Sequence, residues 1–80
     1  MTRVRYTAMT RSEMQMIRDA ANFTETQDQI FLNLCKGDVY NYAICQRMCM
    51  DPRAFYRHKK IVEEKCERVI RELKIGHLMR

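Results

Sequence analysis

The chain predicts an all-α fold of four helices, and three observations carry that expectation. Only 2 Gly and 1 Pro stand among its 80 residues, too few for the many turns of an all-β fold. Helix-start signals recur along the chain, each followed by apolar residues three and four apart. Hydrophobic residues make up 46%, more than a disordered tail would carry. A chain of this length predicts one domain. It also sits near the limit of independent folding, where self-association would help.

Residues 1–9 alternate weakly, with Val4, Tyr6 and Ala8 against Arg3, Arg5 and Thr7. They read as a flexible or extended N-terminal arm, and residues 10–80 as the single domain. Thr10-Arg11-Ser12-Glu13 is a capping box: threonine caps and glutamate returns the favour three residues on. It predicts a first helix from about Arg11 to about Ala21, with Met14, Ile17 and Ala21 on one face. Thr24-Glu25-Thr26-Gln27 is a second capping box, and Phe23 before it is placed to staple onto the helix. Ile30, Phe31, Leu34 and Cys35 form the stripe of that second helix. Lys36-Gly37 ends it, with a cation in the last turn and a glycine to leave the helix.

Asp38 or Asn41 can cap a short third helix ending near Met48, whose Ile44 and Met48 share a face with Cys45 beside them. After Cys49-Met50 comes Asp51-Pro52, a capping carboxylate followed by the residue best suited to the first helical position. No stop signal follows until Gly76. The fourth helix is therefore predicted over 52–75, roughly 36 Å at 1.5 Å per residue. At 100° per residue, Phe55, Val62, Cys66, Val69, Ile70 and Leu73 fall on one apolar side, and Arg53, Tyr56, Arg57 and Lys60 on the other. Further along, the outer side turns acidic with Glu63, Glu64 and Glu67.

The net charge of +5 is unevenly spread. Residues 47–60 hold Arg47, Arg53, Arg57, Lys59 and Lys60 against Asp51, a net +4. Residues 24–38 hold Lys36 against Glu25, Asp28 and Asp38, a net −2. Concentrated positive charge at the start of a helix is the footprint of nucleic-acid binding, though a solvated basic face has the same composition. The acidic residues downstream imply that only the first two or three turns of the fourth helix meet DNA. A basic N-terminal arm could add a minor-groove contact.

Other chemistries find little material. Cys35, Cys45, Cys49 and Cys66 form no C-x-x-C pair, and His58 and His77 stand at no zinc-ligand spacing. The cysteines lie among apolar residues and read as small buried hydrophobes, with free thiols suited to a reducing cytoplasm. Met14, Met48 and Met50 read as core rather than as an adaptable binding surface. No Gly-rich phosphate loop and no nucleophile–base pair is evident. No enzyme, cofactor or metal is therefore expected. No signal peptide and no membrane-spanning run is present.

The segment Thr24-Glu25-Thr26-Gln27-Asp28-Gln29-Ile30-Phe31-Leu32-Asn33-Leu34 resembles the opening helix of sigma-factor region 4 and of related response-regulator DNA-binding domains. Gly37 matches the glycine before their helix-turn-helix. Ile44-Cys45-Gln46-Arg47-Met48-Cys49-Met50-Asp51 is similar to the family's Ile-Ala-x-x-Leu-Gly-Ile-Ser. Phe55 stands at the apolar anchor of the recognition helix, and Phe55-Tyr56-Arg57-His58-Lys59-Lys60 resembles small phage late-gene transcriptional regulators. The resemblance covers roughly residues 22–70. The family's small alanine is Cys45 here. Its turn glycine is Cys49, which costs on the order of 1 kcal/mol if that position needs a positive φ.

The resemblance implies a four-helix helix-turn-helix domain whose long C-terminal helix is the recognition helix. It implies a transcription regulator that binds double-stranded DNA through Arg53, Tyr56, Arg57, Lys59 and Lys60, with Arg47 holding the backbone beside the groove. Arginine suits guanine edges, and lysine more often meets phosphate. His58 lies nearer the core edge and reads as packing or a flanking phosphate contact. Two other readings stand beside this one. Domains of this class also dock on RNA polymerase subunits, and a small packaging adaptor would carry the same pattern. The stripe Val62, Cys66, Val69, Leu73 either packs on the first helix or forms a homodimer seam.

Overall fold

A computed structural model describes residues 4–37 and 41–79, and among these the chain is all-α with four helices. The start signals act as their chemistry dictates. The Glu13 amide donates to Thr10 Oγ1 at 3.1 Å and the Thr10 amide to Glu13 Oε1 at 2.9 Å, so α1 spans Arg11–Ala21. The second box closes the same way between Thr24 and Gln27, and α2 spans Glu25–Lys36. Phe23 staples onto it, its ring 5.2 Å from that of Phe31. α3 is short, Asn41–Arg47. Asp51 Oδ2 accepts from the Arg53 and Ala54 amides, and α4 runs Pro52–Glu72 behind Pro52.

Helix ends are made by left-handed residues, and three of the four are not glycine. Gly37 ends α2 at φ 69°, and a Cβ there would run into the Thr7 side chain. Asn22 ends α1 at φ 57°. At α3 the Cys49 amide donates to the Gln46 carbonyl at 3.1 Å and the Met50 amide to the Cys45 carbonyl at 2.9 Å. This reciprocal pair turns the chain out through Cys49 at φ 50°. The same closure ends α4: Lys74 donates to Arg71 and Ile75 to Ile70, with Lys74 at φ 56°. The helix predicted to reach residue 75 thus stops at Glu72. No glycine marks the stop, because the two recovered hydrogen bonds outweigh the strain of a left-handed lysine. Replacing Cys49 by glycine removes such strain, and Cys49→Gly is expected to raise stability by about 0.5–1 kcal/mol in urea denaturation.

The core is where the helices cross. Ile17 and Ala21 of α1, Ile30 and Phe31 of α2, Ile44 of α3, and Phe55, Val62, Cys66, Val69 and Ile70 of α4 are buried. α4 lies against both α1 and α2, so its stripe is covered within the chain. Of the residues expected for a seam with a second copy, only Leu73 reaches the surface. The stripe packs within the chain, on α1 as one alternative has it and on α2 as well. Arg18 and Asp28 clamp α1 to α2 with two bonds of 2.7 Å.

The N-terminal segment is not a loose arm from Val4 onward. Val4 and Tyr6 are buried, Arg5 donates its amide to the Leu78 carbonyl at 2.7 Å, and Val4 pairs with Met79. A 3-10 turn at Tyr6–Ala8 meets α2, Tyr6 lying edge-on to Phe31, and a second 3-10 turn, Gly76–Leu78, brings Leu78 under the core. Burying two large side chains here, each stabilising by about 1.5–3 kcal/mol, offsets the entropy lost by ordering the segment.

One charged contact closes this end. His77 Nε2 lies 2.6 Å from Glu13 Oε2. The Thr10 amide above all holds the Glu13 carboxyl below the usual range, against desolvation as the next largest effect, and the His77 contact lowers it further. A carboxyl lowered in the folded state stabilises above its unfolded pKa and loses that contribution as pH falls through its folded pKa. Glu13→Gln should therefore lower the melting temperature at pH 7, and the gap from the parent should close below about pH 4, as thermal melts across pH would show.

Candidate nucleic-acid interface

The first turns of α4 carry the positive face. Spacings of three, one and three place Arg53, Tyr56, Arg57 and Lys60 on one side of the helix, and all four are exposed. The side chains of Arg53, Arg57 and Lys60 have no hydrogen-bond or ion-pair partner among the described residues, while the Asp51 carboxylate is occupied by the Arg53 and Ala54 amides. Tyr56 is 55% exposed, with its ring edge-to-face at 5.5 Å from the buried Phe55. Phe55 thus roots the helix in the core directly beneath this face.

Arg47 and Lys59, also expected at the interface, are engaged with other helices. Arg47 is exposed, but its Nη1 donates to Asn33 Oδ1 at 3.1 Å, and buried Asn33 is itself held by the Gln29 carbonyl at 2.8 Å. Half-buried Lys59 donates from Nζ to Asn41 Oδ1 at 3.1 Å. These contacts fix α3 against α2 and α4, and so set the angle at which α4 leaves the turn. Asn41 is consequently a helical residue bonded to Lys59 rather than a cap, and Asp38, the other expected cap, lies outside the described residues. His58 is half-buried, with a buried Nδ1 that has no hydrogen-bond partner among the described residues.

Sequence reasoning missed Tyr42. It is 69% exposed on α3, and its hydroxyl accepts from Gln46 Nε2 at 2.9 Å, which leaves its own proton to donate. The signal was the tyrosine–glutamine spacing of four on a short helix. Beyond Lys60 the outer side of α4 turns acidic at Glu64, with Glu63 and Glu67 half-buried beside it.

The thiols take different places. Cys45 and Cys66 are buried and Cys35 is half-buried, as small hydrophobes should be, but Cys49 is exposed in the turn. All four are free. Burial pushes the Cys35 thiol up to about 12 and raises that of Cys66 as well, so both stay protonated at neutral pH. Among the described residues no three His, Cys, Asp or Glu side chains are grouped to hold a metal, and no helix is long and apolar enough to cross a membrane. A groove of about 300 Å³ lies between α1 and α2, lined by Met14, Gln29, Leu32, Asn33, Cys35 and Lys36. No family model, curated protein or solved structure matches this chain.

Proposed function

We propose that this protein is a sequence-specific DNA-binding transcription regulator of the helix-turn-helix class, with the N-terminal turns of α4 in the major groove. The observation that carries this reading is the face of Arg53, Tyr56, Arg57 and Lys60, whose three cations have no partner among the described residues. A short helix, a turn closed at Cys49 and a long helix entered through Asp51-Pro52 support it. Arg53 and Arg57 are positioned for base edges or phosphate, Lys60 for phosphate, and Tyr56 for sugar or phosphate through its hydroxyl. Arg47 and Lys59 orient the helix, with their residual charge facing the backbone. The protein acts without catalysis or cofactor.

Fluorescence anisotropy with a labelled mixed-sequence duplex at low and moderate salt tests this. Binding that weakens steeply with salt is expected. Absence of binding at low salt would leave a second reading, docking on an RNA polymerase subunit or another protein. The groove between α1 and α2, lined by Met14, Leu32 and Cys35 together with Gln29, Asn33 and Lys36, favours that alternative. A role in packaging DNA would share the same duplex contacts.

A further inference from the structure

A second group of unpaired cations lies where the two ends of the chain meet. Arg5 is fixed there by the hydrogen bond its amide donates to the Leu78 carbonyl, and Lys74 and Arg71 by the closure of α4. Arg11 opens α1, within one turn of the Glu13 that contacts His77. Arg5, Arg11, Arg71 and Lys74 are all exposed, and their side chains have no hydrogen-bond or ion-pair partner among the described residues. Of the carboxylates nearby, Glu13 is engaged by Thr10 and His77 and Glu72 by Arg68 at 3.8 Å, while Glu67 stands one turn before Arg71. Four exposed cations from three segments of the chain thus belong to this end of the molecule, and among the described residues none of their side chains is paired.

This group is remote from the first. Fourteen residues separate Arg57 from Arg71, about 21 Å along α4, in a molecule whose longest extent is 34 Å. That distance exceeds the roughly 12 Å width of a major groove. Between the two groups stand Glu63, Glu64 and Glu67 against Lys65 and Arg68, of which Lys65 is bonded to Asn22 and Gln27 and Arg68 to Glu72. This stretch is net acidic and would disfavour a phosphate chain running along the helix. We propose that this end is a second phosphate-binding surface, and that one molecule bridges two DNA segments, one at each end of α4.

The inference rests on the DNA-binding reading, so its test separates the two. Donor-labelled and acceptor-labelled duplexes are mixed with the full chain, and single-duplex affinity is measured in parallel by anisotropy. Energy transfer should appear as protein is added and fall again at large excess, when every duplex is saturated. R71E/K74E should cut the transfer at least tenfold while leaving single-duplex affinity within about twofold. R5E/R11E, which changes other segments of the same surface, should do likewise, with far-UV circular dichroism confirming the fold of both. A parent that binds duplex without transfer overturns the proposal. So does transfer that survives both double variants, since a self-associated pair would then be the bridge. A tenfold loss of single-duplex affinity in the variants also overturns it, because one duplex would then span both ends. If the parent binds no duplex at all, the functional reading falls together with this one.

Discussion

Phe55→Ala is expected to lower stability by about 3–5 kcal/mol, the usual cost of removing a buried phenylalanine. Phe55 is fully buried, contacts Tyr56 edge-on, and is the first core residue of α4. A domain of this size commonly has about 4–12 kcal/mol in total. The substitution should therefore remove much of the margin and shift the urea midpoint sharply downward. Arg57→Ala, two residues on but exposed, should change stability by no more than about 0.5 kcal/mol. A variant at Phe55 that melted like the parent would mean that the start of α4 is not anchored in the core.

The second large effect is on binding. Arg53→Ala with Arg57→Ala should weaken duplex binding at least thirtyfold at moderate salt. Each arginine contact contributes roughly 1–3 kcal/mol, and 1.4 kcal/mol is tenfold. Neither side chain has a partner among the described residues, and alanine is a good helix former, so the fold should persist. The two modes of contact can be told apart. Loss of a base contact should relax preference at one position of a preferred site, whereas Lys60→Ala should weaken all sequences alike and reduce the salt slope by about 1.

The local parts of this fold were legible in the sequence, because their causes lie within four residues. The Thr10–Glu13 and Thr24–Gln27 boxes, the Asp51-Pro52 start and the Lys36-Gly37 stop each set a helix boundary. The stripe of α4 was readable for the same reason, although its partner was not: periodicity shows that a face is apolar, not what covers it. The end of α4 was misplaced because Lys74 takes a left-handed conformation that its side chain does not advertise. The docking of Val4 and Tyr6 beside Leu78 joins residues more than seventy positions apart, beyond the reach of any local pattern.

The candidate interface divides along the same line. The exposed face of Arg53, Tyr56, Arg57 and Lys60 followed from helical spacing alone. That Arg47 and Lys59 would be drawn to Asn33 and Asn41 required knowing how α3 sits between α2 and α4. The second group of cations was hidden altogether, because Arg5 is brought near the end of α4 only by the pairing of Val4 with Met79 and of Arg5 with Leu78.

The salt dependence of duplex binding tests the central claim most directly. If Arg53, Arg57 and Lys60 each displace a counterion, the slope of log affinity against log salt should be near −3 for the parent and near −1 for R53A/R57A. A parent that fails to bind at low salt, or a double variant that keeps the parent's slope, would contradict the assignment of DNA binding to the first turns of α4.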